Sequence, residues 1–376
     1  METTRRQFLG IAGAGLAAGA LALRWPISAD AAGGTLLFGM GIHIEPFGAT
    51  PSALAGAPAT PPSGGGISYL TGGIYDRHAA NLRLLGEMAE RHGGALTIQT
   101  QTAFTTMAIG RGDPILADLA ARGHEIALHF HEDAHLGKRD DLLPVETWAA
   151  VMAEEISFIR ALGAPPVRYW SGGNLYPGVL EAGARAGLDV LGDYKNPNTQ
   201  QSDSLVLGVH PWRPATGPIE GNMTGFARHD PAAPVVYLPS GRFSRTDYAG
   251  ARRSPEMGGD AGYFEFLRRS IAESQAAATP DRVNVFHFTM HPGEFQDGPT
   301  DPHRVVEQFL ADTIDPAVRA GTLRWATYSQ MADAFRAWEA ANPGVDPRDG
   351  EGVDNRRLIP ALPQGSPSAM LRRRGR

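Results

Sequence analysis

The sequence predicts an α/β protein, a single domain in which parallel strands form a barrel surrounded by helices. Short apolar runs alternate with amphipathic helical patterns over about 310 residues, which is typical of βαβ units. Seven or eight such strands favour a closed barrel over an open sheet. The Gly-x-Gly-x-x-Gly loop of open dinucleotide-binding sheets follows none of these strands.

The elements follow from apolar periodicity and from glycines at their ends. The predicted strands are Thr35–Ile44, Ala95–Thr100, His124–His131, Val167–Trp170, Leu188–Leu191, Val235–Leu238, Val283–Phe288 and Leu323–Thr327. The predicted helices are Tyr75–His92, Ile115–Arg122, Val145–Leu162, Leu175–Ala186, Gly262–Ala277, His303–Ile314 and Ser329–Ala341. Two segments, Pro46–Gly73 and Lys195–Pro234, break the alternation after strand ends. We expect them to be long loops on the catalytic face of the barrel.

The N-terminal residues 1–31 have the pattern of a bacterial export signal. Thr4-Arg5-Arg6-Gln7-Phe8-Leu9 is a twin-arginine motif, and Ala29-Asp30-Ala31 offers small residues for cleavage. The apolar run between them has about 13 residues, whereas a membrane-spanning helix needs roughly 20. We therefore expect the twin-arginine export machinery as a partner and a periplasmic or secreted mature chain without a stable membrane span. An ordinary secretory signal is the alternative.

Composition and charge limit the partners and the metal ligands that this chain can have. The net charge is −6, and basic residues do not cluster in the body of the chain, which argues against a nucleic-acid partner. The chain has no cysteine, so any metal must be held by His, Asp and Glu. We expect the barrel to span residues 34–341. Residues 342–376 are rich in Pro and Gly and are predicted to be a disordered tail.

The densest cluster of reactive side chains lies at Gly123–His135, which holds four of the twelve histidines. Side chains two apart on a strand share a face, so His129 and His131 can point into the same volume. Two imidazoles with carboxylates nearby suit a divalent metal such as zinc. The alternative is a polar strand end with solvated histidines.

Other polar side chains gather where predicted strands end, which is where a parallel barrel builds its active site. They include His43 and Glu45, Gln99 and Gln101, Arg168, Asp193, His287 and His291. Each has a structural alternative. His43 could be a core histidine, Glu45 a helix cap and Arg168 an ion-pair partner. His291 could belong to an ordinary Pro-Gly turn.

These motifs, in this order, resemble the polysaccharide deacetylase family, the carbohydrate esterases built on the nodulation-deacetylase homology domain. The resemblance rests on Gly123-His124-Glu125-Ile126 before the histidines, on Arg168-Tyr169-Trp170 with Gly172 and Pro177, and on a late histidine strand. It covers roughly Thr35 to Phe335. It implies a distorted (β/α)7-type barrel that removes N- or O-acetyl groups with a metal held by one Asp and two His.

The chain departs from the family pattern in three places. His43-Ile44-Glu45 stands where the family pairs two aspartates, and Trp170 stands where it has a proline. The His-x-x-x-His spacing fits His131 and His135 rather than a pair that starts at His129. We therefore expect a divergent member.

The resemblance implies a role for each candidate residue. The metal, zinc or alternatively cobalt or manganese, would be held by residues among His129, His131, Asp133 and His135. Glu45 or Asp133 would serve as carboxylate ligand or general base, and Arg168 would orient the base. His287 or His291 would protonate the leaving group, and Trp170, Tyr194 or Trp212 would stack on a sugar ring. The alternatives are a glycoside hydrolase and a non-catalytic carbohydrate-binding protein on the same fold.

Overall fold

The computed structural model describes residues 34–44, 69, 73–130, 143–173, 176–194, 202–219, 222–242, 259–292 and 302–351. Within these ranges the strands are β1 (Leu36–Ile44), β2 (Leu96–Thr100), β3 (Glu125–Phe130), β4 (Tyr169–Gly172), β5 (Val190–Gly192), β6 (Val236–Leu238), β7 (Asn284–Met290) and β8 (Leu323–Trp325).

All eight strands belong to one sheet, in the order β6-β5-β4-β3-β2-β1-β7, with β8 also paired to β1. Every ladder is parallel. The sheet curls into a half-barrel with helices around it. This confirms the predicted distorted (β/α)7-type barrel, and the carboxyl ends of all strands meet on one side.

The barrel departs from a closed ring between β6 and β7. Among the described strands these two form no ladder with each other. Residues 207–212 fill the space instead. Gly208 and Trp212 bridge antiparallel to Gly241 and Tyr237, and the backbone N–H of Val285 donates to the carbonyl of Val209 at 2.7 Å. An irregular segment thus replaces strand pairing here.

The helices are α1 (Ile74–Arg91), α2 (Thr102–Arg111), α3 (Ile115–Ala121), α4 (Val145–Ala161), α5 (Val179–Arg185), α6 (Thr224–Ala227), α7 (Gly259–Ala277), α8 (Pro302–Phe309), α9 (Asp315–Arg319) and α10 (Tyr328–Ala341). A π-helical turn, Leu310–Ile314, joins α8 to α9. Helix α2 was not predicted, because its three threonines and Gly110 have low helix propensity. In the part of the chain that is described, none of the helices has the length and apolarity to cross a membrane.

Strand β1 shows how the barrel separates its two buried faces. Phe38 and Ile42 pack with the residues under the helices, whereas Leu37 packs with Tyr328 inside the barrel. Gly39 and Gly41 also face inward. A Cβ at Gly39 would lie 2.6 Å from the Tyr328 ring, and one at Gly41 would lie 2.5 Å from its hydroxyl. Glycine at these positions therefore lets Tyr328 reach across the barrel.

The predicted tail begins later than residue 342, because residues 342–351 pack on the barrel. The Arg348 guanidinium lies 4.1 Å from the centroid of the Trp212 ring and donates to the carbonyl of Ala227 at 2.8 Å. The Glu351 carboxylate accepts the N–H of Val209 at 2.5 Å. These contacts hold the segment that closes the barrel. Residues 352–376 lie outside the described residues.

Candidate active site

Buried polar side chains from six strands meet inside the barrel at its carboxyl end, where parallel barrels carry their active sites. Strand alternation turns the members that lie within strands inward and leaves their apolar neighbours under the helices. The cluster consists of His43 (β1), Gln99 (β2), His129 (β3), Ser171 (β4), Asp193 (directly after β5) and Thr289 (β7).

His43 lies at the centre of this cluster. Its Nε2 is 2.8 Å from Oε1 of Gln99 and 3.1 Å from Oδ2 of Asp193. A carboxylate and an amide oxygen can only accept, so the assignment that satisfies both places the hydrogen of His43 on Nε2. In the neutral ring the lone pair is then on Nδ1, which can take up a proton.

Ser171 connects His43 to His129. Its Oγ lies 3.2 Å from Nε2 of His43 and 2.6 Å from Nδ1 of His129. A hydroxyl accepts and donates at once, so Ser171 can accept from His43 and donate to His129. Neutral His129 then carries its own hydrogen on Nε2. The two imidazole rings stack with centroids 3.9 Å apart and planes inclined by 25°.

Asp193 supplies the buried charge of the cluster. Its Oδ2 accepts from His43 and from Oγ1 of Thr289, the latter at 2.5 Å. Burial by itself raises the pKa of a carboxyl group, but here the hydrogen bonds from His43 and from the hydroxyl of Thr289 outweigh it. The pKa of Asp193 is therefore well below its usual range, and the group is ionised at neutral pH.

The two histidines predicted as the general acid differ in their surroundings. His287 is fully buried; its Nε2 donates to the carbonyl of Leu238 at 3.1 Å, and burial lowers its pKa. The single ring hydrogen of neutral His287 is therefore donated to the backbone and is not directed at a leaving group, so His287 does not fit the role of general acid. The half-buried His291 lies with its ring centroid 5.5 Å from that of His43. Asn81 of α1 donates to the carbonyl of Pro292 at 3.0 Å and so fixes the backbone next to His291.

The described residues do not form a metal site by themselves. Within the described ranges there is no group of three or more His, Asp or Glu that could hold an ion. The stacking of His43 and His129 agrees with this, since stacked rings direct their in-plane lone pairs nearly parallel and not toward one ion about 2 Å away. The other candidates, Glu45, His131, Asp133 and His135, lie outside the described residues.

The structure places Arg168 at the other end of the barrel. Strand β4 begins at Tyr169, two residues later than predicted, so Arg168 precedes the strand and does not end it. Its Nη2 lies 2.8 Å from Oδ1 of Asp333 and 3.2 Å from Oδ2 of Asp189. Arg168 is therefore an ion-pair partner at the amino ends of the strands. The structure does not bring it to the His43 cluster.

The three aromatic residues predicted to stack on sugar are buried. Trp170 faces α5, where a Cβ at Gly183 would lie 2.8 Å from its ring. Trp212 donates from Nε1 to the carbonyl of Phe226 at 2.8 Å, and the Tyr194 ring lies 5.9 Å from the Phe226 ring. All three are at most 2 % exposed. They serve the core, and this placement does not support sugar stacking.

Two members of the cluster, Ser171 and Thr289, were not among the candidate residues, and His43, Gln99 and Asp193 were candidates without an assigned role. Alternation was the available signal in both cases. Once Tyr169 faces inward, Ser171 does too, and Thr289 lies two residues after the inward-facing His287. To use alternation, one must first know which residues of each strand face the barrel interior.

No protein-family model matches the sequence, and neither does any curated protein. The structure is similar to that of a protein from Mycobacterium smegmatis described as a polysaccharide deacetylase, with a TM-score of 0.51, 17% identity and coverage of 84% of this chain and 93% of that one. A protein from Pseudomonas aeruginosa PAO1 with the same description gives a TM-score of 0.53, 16% identity and coverage of 82% and 93%. Puue allantoinase gives a TM-score of 0.52 and 16% identity, with coverage of 82% of this chain and 92% of that one. The chain has the fold of the polysaccharide deacetylases, in a divergent form.

Proposed function

We propose that this chain is an exported hydrolase that removes acetyl groups from an N- or O-acetylated polysaccharide. The observation that carries the proposal is the buried cluster around His43, which lies at the carboxyl end of a barrel with the polysaccharide deacetylase fold. The substrate class comes from the two similar structures that are described as polysaccharide deacetylases.

Hydrolysis of an acetyl group needs a base for the attacking water, a donor for the oxyanion and an acid for the leaving group. His43 is the candidate base, with Nδ1 taking the proton and Asp193 stabilising the resulting imidazolium. His129 is the candidate oxyanion donor through Nε2–H. His291 is the candidate acid, because it lies beside His43 and His287 has its proton committed elsewhere.

Export and the metal belong to the same proposal. The twin-arginine motif at Arg5-Arg6 supports export to the periplasm or beyond; retention of an Arg5→Lys/Arg6→Lys variant in the cytoplasm is the expected result. The resemblance and the His-x-x-x-His spacing of His131 and His135 support the binding of a divalent metal, with zinc as the first candidate. Those residues lie outside the described ranges.

The proposal is tested by incubating the purified mature protein with N-acetylated glucosamine oligomers and with O-acetylated xylan. We expect acetate release from at least one of them, without new reducing ends. New reducing ends without acetate would indicate a glycoside hydrolase. Binding with neither product, with any divalent metal added, would indicate a carbohydrate-binding protein.

Replacing Arg168 by glutamine is expected to leave kcat and KM for acetate release within about twofold, because the side chain lies at the amino ends of the strands. Its ion pairs are partly exposed, with side-chain exposures of 34% for Arg168 and 54% for Asp333, so the stability cost should be at most ~1 kcal/mol. Steady-state kinetics and thermal unfolding measure both, with Arg319→Gln as the exposed control. A large loss of kcat at unchanged stability would restore Arg168 as a catalytic residue.

A further inference from the structure

We propose that Asp193 is a positioning residue that fixes the orientation of the His43 ring and keeps its hydrogen on Nε2. The inference rests on the proposed function for its kinetic consequence, because His43 is the candidate base there. It assigns a task to the end of β5, where the sequence showed only a polar residue.

The backbone at Asp193 is the first observation. Asp193 has φ of 57°, and it is the one non-glycine residue with positive φ in the described ranges. This left-handed conformation is unfavourable for most side chains, and aspartate and asparagine tolerate it best. It follows β5 directly and turns the carboxylate back into the barrel, where Asp193 is 2% exposed.

The contacts of the carboxylate are the second observation. Oδ2 accepts from two donors on two strands, Nε2 of His43 on β1 and Oγ1 of Thr289 on β7. Oδ1 lies 3.6 Å from Nδ1 of His287, whose ring is anchored through Nε2 to Leu238. The hydroxyl of Thr289 thus holds the carboxylate from β7 while the carboxylate holds His43. A loose carboxylate could not set the orientation of an imidazole.

The arrangement has a direct consequence for His43. Gln99 and Ser171 also approach Nε2, but both are neutral and either can reorient its hydrogen-bonding groups. Asp193 is the ionised acceptor among the three, and charge-assisted hydrogen bonds are about twice as strong as neutral ones. Asp193 therefore makes one ring orientation and one tautomer of His43 favourable.

The key variant is Asp193→Asn, because asparagine keeps the size of the side chain and tolerates positive φ. We expect it to fold and to lose roughly 10²- to 10⁴-fold in kcat for acetate release with KM within about threefold. Thr289→Val should lose less, roughly 10-fold, and Thr289→Ser should restore kcat because it returns the hydroxyl donor. The matched control is Asp189→Asn, which removes a carboxylate at the opposite end of β5.

A second measurement does not depend on activity. In protein with ¹⁵N-labelled histidine, the Nε2–H of His43 should give a downfield proton resonance, identified by its loss in His43→Gln. We expect Asp189→Asn to keep this resonance and Asp193→Asn to lose or shift it. An unchanged resonance together with unchanged kcat in Asp193→Asn would overturn the proposal. If the wild-type protein releases no acetate, the proposed function fails, and the resonance alone then decides the role of Asp193.

Discussion

The His43→Gln variant is expected to lose roughly 10²- to 10⁴-fold in kcat for acetate release while it keeps the fold. Glutamine is close in size and can still donate toward Asp193 and Gln99, so the buried carboxylate keeps a hydrogen-bond partner. What it lacks is a nitrogen lone pair that can take up the proton of the attacking water. The loss should therefore appear in kcat and not in KM, as measured by steady-state kinetics on the glycan that the wild-type protein deacetylates.

The control for this variant is His92→Gln. His92 also lies beside carboxylates, with Nδ1 2.9 Å from Oδ2 of Asp315 and Nε2 3.1 Å from Oε1 of Glu307. It caps the end of α1, however, at the amino side of β2 and away from the cluster. We expect His92→Gln to retain kcat. A His43→Gln enzyme with wild-type kcat would remove His43 from the chemistry and leave it as a core histidine.

The sequence predicted the fold well because the strands of a parallel barrel are buried on both faces. Such strands are continuous apolar runs bounded by glycine and polar residues, as at β1 and β7. Each predicted strand has a counterpart in the structure. The strand boundaries differ from the prediction by one or two residues, and at β4 both ends shift by two, which moved Arg168 from the strand end to its start.

The site was predicted less well, and strand register explains much of the difference. A side chain two residues from an inward-facing one is also inward, so a shift of one residue exchanges the core face for the site face. At β4 the interior holds Tyr169 and Ser171, and Trp170 is left to the core. Trp170 was predicted to stack on a sugar ring, whereas the neighbouring Ser171 lies within hydrogen-bonding distance of both His43 and His129.

The contacts of His43 could not be read from the sequence, because its partners are far away along the chain. Asp193 is 150 residues from His43, and Ser171 is 128 residues from it. Local periodicity places each of them at a strand end but does not say which strand ends are neighbours. The resemblance predicted metal ligands between His129 and His135. Residues 131–135 lie outside the described residues, so this metal site stays a prediction.

Metal binding is expected to depend on His131 and His135 and to survive the loss of His129. The first two have the His-x-x-x-His spacing, with Asp133 between them as a carboxylate ligand. The Nδ1 of His129 is bonded to Ser171 and its ring is stacked on His43, so it belongs to the hydrogen-bonded cluster. We expect about one equivalent of divalent metal in the wild-type protein, and none in His131→Ala/His135→Ala.

Elemental analysis of the purified proteins measures this, and acetate release in a chelator measures its consequence. His129→Ala should keep the metal and lose activity, since it removes the Nε2–H that is the candidate oxyanion donor. The opposite pattern, with metal lost in His129→Ala and kept in the double variant, would assign the ion to the end of β3. In that case the His129 ring would have to leave its stacked position on His43 when the ion binds, because the lone pairs of stacked rings do not converge on one ion.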